Sequence, residues 1–167
     1  MLEHSLILLF PIAMVYAGAM DVMTMTIPNR ISMALVIAFV ALALLDGMGW
    51  SAFFMHLATG LGVLAIAVLM FSRGWIGGGD AKLLSAAALW FGYPHLLQYI
   101  FLVTLVGGAL ALVVIAYRHV VPRIWIAGYS WAERLHDRKS GIPYGVALAG
   151  AALWLYPDSP LFRLTAS

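Results

Sequence analysis

The chain has 167 residues, of which 64% are hydrophobic and 10% are charged, with a net charge of +2 and no cysteine. Its nine basic and seven acidic side chains are too few to cover the surface of a soluble globular protein of this length, so the composition excludes that class of protein. The lack of cysteine excludes disulfides, thiolate metal sites and a cysteine nucleophile. The small basic excess lies in loops, which indicates membrane topology and not nucleic-acid binding.

Six apolar segments alternate with polar connections along the chain. A helix needs about 20 apolar residues to cross a bilayer core, and the longer segments meet that length. We therefore predict an all-α, polytopic membrane protein with about six transmembrane helices in a single domain, residues 1–167. The N-terminal segment lacks the basic start of a signal peptide, so we expect it to be retained as the first helix. The segments cover residues 5–20, 31–45, 51–71, 81–91, 96–117 and 142–156.

Basic residues mark one side of the membrane. Eight of the nine lie in the first, third and fifth loops, and by the positive-inside rule these loops are cytoplasmic. Both termini then lie outside, together with Arg163. The fifth loop, about 118–141, combines tryptophans with basic residues and is expected to be an interfacial connector in the cytoplasmic headgroup layer, a substrate-binding element being the alternative. The eight are Arg30, Arg73, Lys82, Arg118, Arg123, Arg134, Arg138 and Lys139.

Two carboxylates stand at the edges of apolar segments. Asp21 ends the first segment, and Asp80 opens the fourth, directly after Gly77, Gly78 and Gly79. Two membrane passes separate them, so both return to the cytoplasmic face. An ionisable side chain at a membrane edge is costly unless it is paired or hydrated, which makes each a functional candidate. The structural alternative is a glycine-rich turn in which Asp80 caps the next helix.

A close pair of carboxylates has a specific chemistry. Low dielectric and mutual repulsion prevent both from ionising, so the pair shares one proton near neutral pH. The ionised group can then take a proton from water, while the protonated group hydrogen-bonds the carbonyl that the water attacks. This is the mechanism of an aspartic protease. We expect no metal and no cofactor.

Three further residues are candidates for supporting roles near this pair. Lys82 either tunes the carboxylates or is an interfacial anchor. Asn29 either hydrogen-bonds at the site or only begins a helix, and Tyr144 is expected at the depth of the aspartates. His56 and His95 fall on the outer side of the predicted topology, and we interpret them as interfacial polar residues.

Three motifs occur around these positions. Asp21 is followed by Ile27-Pro28-Asn29, the second motif is Gly77-Gly78-Gly79-Asp80-Ala81-Lys82, and the third is Ile142-Pro143-Tyr144-Gly145. Together, at a spacing of two membrane passes, they resemble those of the type IV prepilin peptidases, membrane aspartic proteases of the GxGD type. The resemblance covers nearly the whole chain.

The resemblance implies that Asp21 and Asp80 are the catalytic pair. It also implies prepilin or pseudopilin substrates, whose short basic leader is removed at the cytoplasmic face of the inner membrane, and pilus assembly machinery as a partner. The chain resembles the short, peptidase-only branch that serves tight-adherence (Flp) pili, and the archaeal preflagellin peptidases are a nearby branch that stays open. Methylation is not expected, because the chain has no room for the added cysteine-rich domain of the larger members.

Two other functions are compatible with these residues. The carboxylates could carry protons or cations in a small membrane transporter, although the chain shows neither internal repeats nor broken helices. The chain could also be a non-catalytic subunit of a secretion system. Only the peptidase hypothesis requires both carboxylates for cutting a substrate with a basic leader.

Overall fold

The computed structural model describes the backbone of residues 2–162 and the side chains of residues 8–162. Over this range the chain forms seven α-helices and no strand, which confirms the all-α prediction. Arg163, predicted as the basic residue of the outer side, lies outside the described residues. The helices are α1 (Leu2–Thr24), α2 (Asn29–Leu45), α3 (Trp50–Ser72), α4 (Gly78–Val120), α5 (Arg123–Ile126), α6 (Ser130–His136) and α7 (Tyr144–Leu155), with 3-10 turns at Arg138–Ser140 and Tyr156–Asp158.

Helix α4 turns back on itself at Gly92, where φ is 64° and ψ is −179°. Gly79 at the start of α4 packs against Ile27, since a Cβ added to it would lie 3.0 Å from that side chain. Gly107, much later in α4, packs against the ring of Tyr144, since a Cβ there would lie 2.8 Å away. The residue after Tyr144, Gly145, also packs against Ile27, so both glycines of α4 lie in the same region. A straight helix would separate these two glycines by about 42 Å, at about 1.5 Å per residue. The chain therefore reverses, and α4 consists of a first arm, 78–91, and a second arm, 93–120.

The ring of His56 fills the inside of this reversal. A Cβ on Gly92 would lie 2.6 Å from the ring, and the His56 Nδ1 lies 2.7 Å from the carbonyl oxygen of Leu89. The ring also stacks on Phe39, with centroids 5.4 Å apart. His56 is buried, so the prediction of an interfacial residue is wrong for it, because a helix interruption leaves backbone groups that need polar partners. His95 is partly exposed.

An aromatic cluster joins four helical segments at the same end of the bundle as this reversal. The ring of Phe10 in α1 lies 4.8 Å from that of Trp90 in the first arm and 4.7 Å from that of Tyr156 after α7. Trp90 is fully buried, and its Nε1 donates a hydrogen bond of 2.9 Å to the carbonyl of Leu35 in α2. Within a bilayer, such close packing and hydrogen bonding hold helices together, since lipid gives no hydrophobic drive between them.

The outer surface of the bundle is apolar. Helices α3 and α4 are long and apolar enough to cross a membrane, and residues 8–24 and Asn29–Leu45 form shorter apolar helices. With the two arms of α4 and with α7, six apolar helical segments lie where the sequence predicts them. The chain therefore has an all-α membrane fold. Large exposed apolar side chains include Ile12, Ile37, Leu69, Phe101, Leu112 and Trp154.

Candidate active site

The carboxylate of Asp21 is held by the start of α7. Asp21 lies in the last turns of α1 and is buried, with 6% of its surface exposed. The backbone N–H of Gly145 donates a hydrogen bond of 2.6 Å to its Oδ2. The first N–H groups of a helix have no intrahelical acceptor and form its positive end, so α7 offers a donor that suits a carboxylate. A Cβ on Gly145 would lie 2.8 Å from that same oxygen, so only glycine fits here.

The carboxylate of Asp80 has one oxygen engaged and one without a partner. Asp80 lies in the first turn of α4, where the backbone N–H of Gly77 hydrogen-bonds its carboxylate. Asp80 thus caps the helix start, as the structural alternative expects. Its Oδ1 is buried and has no hydrogen-bond partner in the described part of the chain. A buried carboxylate oxygen without a donor is costly, and such an atom needs a further explanation.

The two aspartates come together around a single side chain. Asp80 lies near enough to Asp21 for the two negative charges to repel each other. Ile27 is packed beside both, since a Cβ on Gly145 would lie 2.8 Å from its Cδ1 and a Cβ on Gly79 would lie 3.0 Å from its Cβ. The end of α1, the start of the first arm and the start of α7 therefore meet at one point. The sequence motifs included Ile27 and Gly145, but the prediction gave neither of them a role in the site.

The predicted supporting residues lie on two different elements beside the pair. Lys82 Nζ donates a hydrogen bond of 2.9 Å to Asn29 Oδ1, so these two candidates contact each other and join α2 to the first arm. Gly78 faces α3 instead, since a Cβ there would lie 3.3 Å from the ring of Phe71.

Tyr144 has a different environment from the other candidates. It begins α7 directly before the glycine that binds Asp21, and 42% of its surface is exposed. The edge of its ring packs against Gly107 in the second arm, where an added Cβ would lie 2.8 Å away. Tyr144 therefore packs α7 against α4 beside the aspartates.

A cavity of about 520 Å³ begins at the Asn29–Lys82 hydrogen bond and runs between α2, α3 and the first arm. Its lining is almost entirely apolar, and Leu61 on one wall is largely exposed, so the cavity opens toward the surface that faces lipid. Ser32 also lines it, and the Ser32 Oγ is buried with no hydrogen-bond partner among residues 8–162. The other lining residues include Met33, Val36, Ile37, Leu57, Gly60, Leu64, Ser85, Ala86 and Leu89.

Comparison with known proteins gives one result. A family model for the type IV leader peptidase family matches residues 8–112, a stretch that contains both aspartates and ends in the second arm of α4. No curated protein and no solved structure matches the chain. The family match confirms the resemblance and covers the first two of the three motifs, whereas Ile142-Pro143-Tyr144-Gly145 lies beyond it. It favours the peptidase hypothesis over the transporter and the assembly subunit. Because residues 8–112 make up more than half of the chain, it belongs to the type IV leader peptidase family.

Proposed function

We propose that the chain is an aspartic endopeptidase that removes the short leader from prepilin-like proteins, with Asp21 and Asp80 as its catalytic pair. The observation that carries this proposal is that the end of α1, the start of the first arm and the start of α7 converge at Ile27, which brings the charges of Asp21 and Asp80 within reach of each other. Both aspartates lie inside the stretch that the family model matches. A carboxylate pair needs no further nucleophile, since water is the attacking group.

The pair shares one proton, because two close carboxylates cannot both ionise readily. The ionised member takes a proton from a bound water, and the water oxygen attacks the carbonyl carbon of the scissile bond. The protonated member donates a hydrogen bond to the carbonyl oxygen. When the tetrahedral intermediate collapses, the C–N bond breaks and a carboxylic acid returns a proton to the leaving amine. The unpartnered Oδ1 of Asp80 supports this assignment, since water or substrate can supply its missing donor.

We assign the pair to the cytoplasmic face of the cell inner membrane. Three basic side chains contact the chain close to the aspartates: Lys82 bonds Asn29, Arg134 bonds the carbonyl of Met23, and Arg118 bonds that of Gly141. Basic residues collect on the cytoplasmic side of membrane proteins. The clustering of charge at this end of the bundle therefore supports the orientation.

The cavity supports the proposed substrate class. A prepilin-like protein carries an apolar helix directly after its leader, and we assign that apolar segment to the cavity between α2, α3 and the first arm. Two observations support the assignment: the cavity begins at Lys82, two residues after Asp80, and its lining is apolar and open toward lipid. The pilus assembly machinery, of the tight-adherence type, is the proposed cellular context.

The test is leader removal in proteoliposomes that contain the enzyme and a prepilin-like substrate. Removing an acid or base group costs about 100-fold or more in rate, so Asp21→Asn and Asp80→Asn are each expected to lose cleavage by at least that factor. The matched control is Asp46→Asn, which makes the same change directly after the last residue of α2. The other end of α2, which begins at Asn29, is the end near the aspartates, so Asp46→Asn is expected to cut within about twofold of wild type. Cleavage that survives in either Asp21→Asn or Asp80→Asn would contradict the proposed pair.

A further inference from the structure

The 118–141 loop, which connects the second arm of α4 to α7, folds back onto the end of the bundle that holds the aspartates. Arg134 in α6 donates a hydrogen bond through Nη2 to the carbonyl of Met23, two residues after Asp21. Met23 lies in the last turn of α1, where backbone carbonyls have no intrahelical donor and form the negative end of the helix. A guanidinium at this position satisfies the carbonyl and complements the helix dipole.

A second arginine ties the same loop to the start of α7. Arg118, at the end of the second arm, donates through Nε to the carbonyl of Leu135 at 2.8 Å and through Nη2 to the carbonyl of Gly141. Leu135 is the neighbour of Arg134 in α6, and Gly141 lies four residues before Gly145. Arg118 therefore connects the helix that carries Arg134 to the segment that leads into α7.

These contacts bear on the position of Asp21 from two directions. Arg134 holds the end of the helix that carries Asp21, and Arg118 holds the turn that leads to Gly145, the residue that binds its carboxylate. Because Gly145 and Asp21 belong to different helices, their 2.6 Å hydrogen bond exists only while the end of α1 and the start of α7 stay in register.

We propose that Arg118 and Arg134 are positioning residues that keep the Gly145 N–H on Asp21. The proposal rests on the proposed function, since it assigns to the loop the task of holding one member of the catalytic pair. A displacement of about 1 Å in a catalytic group can cost about 100-fold in rate, so a small shift of either helix end is sufficient to matter.

The competing role is a structural one, in which the arginines only stabilise the loop or anchor it at the membrane surface. The loop offers matched controls for that role, since Arg123 and Arg138 are exposed basic residues of the same segment. Their replacement by glutamine removes the same charge from the same region and leaves the three carbonyl contacts of Arg118 and Arg134 in place.

The experiment measures kcat, KM and the pH–rate profile of leader removal in proteoliposomes for Arg118→Gln, Arg134→Gln, Arg123→Gln and Arg138→Gln. The first two are expected to lose roughly 10- to 100-fold in kcat with KM changed less than about threefold, and the last two to behave as wild type. The acidic limb of the profile is expected to move to higher pH in the first two only, because a carboxylate that loses an N–H donor holds its proton more tightly.

Lysine variants separate positioning from charge. Arg134 serves one carbonyl, so Arg134→Lys is expected to recover most of kcat, whereas Arg118 bridges two carbonyls with a planar fork and Arg118→Lys is expected to recover little. A loss of kcat with a lower unfolding temperature, an unchanged pH profile and no recovery in Arg134→Lys would overturn the proposal in favour of a purely structural role. Wild-type behaviour of Arg118→Gln and Arg134→Gln would overturn it as well.

Asp21→Asn is measured in parallel so that the two proposals can fail separately. If Asp21→Asn still cuts the substrate, the proposed function fails and the positioning role fails with it. If Asp21→Asn is inactive while Arg118→Gln and Arg134→Gln match Arg123→Gln, only the positioning role is contradicted.

Discussion

The geometry of the site requires a glycine at position 145. Its N–H lies 2.6 Å from Asp21 Oδ2, and an added Cβ would lie 2.8 Å from that oxygen and 2.9 Å from the Asp21 Cβ. The Gly145→Ala substitution must therefore move either α7 or the carboxylate. We expect a loss of about 100-fold in leader cleavage, the scale of a misplaced catalytic group.

The control for this prediction lies on the same helix. A Cβ on Gly150 would meet nothing nearer than Val106, at 3.7 Å, so Gly150→Ala is expected to cut at close to the wild-type rate. Cleavage and thermal unfolding are measured together for both variants. Equal rates for Gly145→Ala and Gly150→Ala would show that Asp21 does not need the close approach of α7.

The sequence predicts the two aspartates but not the way in which they are held. Asp21 and Asp80 follow from motifs and from the count of membrane passes, which are local properties of the chain. The contact of Gly145 with Asp21 joins residues 124 positions apart, so it depends on how α7 docks against α1. The signal that could have found it is a glycine directly after the Ile142-Pro143-Tyr144 helix start, where small size beside a free N–H indicates a close approach.

The reversal within α4 is the element on which the shape of the bundle depends. The φ of Gly92 is 64°, and a Cβ added to this residue would lie 2.6 Å from the ring of His56. The combination of this positive φ with ψ near 180° is adopted almost only by glycine, and another residue held there costs about 1–3 kcal/mol before any clash is counted. We therefore expect Gly92→Ala to lower the free energy of unfolding in detergent by at least about 1 kcal/mol.

Gly62 in α3 provides the comparison, because a Cβ there would meet nothing within 4 Å. Gly62→Ala is expected to be neutral or slightly stabilising, since alanine favours a helix over glycine. His56→Ala by itself loses the hydrogen bond to Leu89 and the stacking on Phe39, so it provides the reference for the double variant with Gly92→Ala. In that background the clash is absent and the backbone strain stays, so Gly92→Ala is expected to cost less than it does in the wild type but still to destabilise. Equal stability of His56→Ala and of the double variant would show that the positive φ carries no cost.

At the scale of elements, the sequence predicts positions better than connections. Composition predicts the six apolar segments, and the break that it leaves between 81–91 and 96–117 holds the reversal at Gly92, because glycine and proline act locally. The burial of His56 cannot be predicted locally, because it depends on how the packing of α2 and of the first arm places Phe39 and Leu89 around its ring. The 118–141 loop was predicted as one polar interfacial stretch, and its division into α5 and α6 was not foreseen, since its contacts with α1 and α4 come from distant parts of the chain.

Across the whole molecule, the two ends of the bundle are built differently. At one end the rings of Phe10, Trp90 and Tyr156 pack tightly and bind α1, the first arm and the end of α7 together. The other end contains glycines, two carboxylates and hydrogen-bonded arginines, and it lacks a comparable cluster of aromatic rings among the described residues. The packed end fixes the helices, and the polar end is left with backbone donors and a buried oxygen that can serve chemistry.

The cavity between α2, α3 and the first arm connects this polar end to the lipid-facing surface, and the chain offers a clean way to test its proposed occupant. Because the chain has no cysteine, a single introduced cysteine is the only thiol on the enzyme. Val36 and Leu61 line the cavity, whereas Leu69 is an exposed residue of α3 outside it. In an Asp80→Asn background that retains the substrate, we expect Val36→Cys and Leu61→Cys to form disulfides with a cysteine in the apolar segment of the substrate.

Leu69→Cys should give little of that product, because a disulfide requires Cα atoms within about 7 Å and that residue faces lipid elsewhere. The measurement is the amount of disulfide-linked complex on a non-reducing gel, with the substrate cysteine moved along its apolar segment one residue at a time. If the apolar segment lies in the cavity as a helix, the yield should rise and fall with a period of about 3.6 residues. Equal yields from Leu61→Cys and Leu69→Cys would instead show that the segment reaches the aspartates by a route outside the cavity.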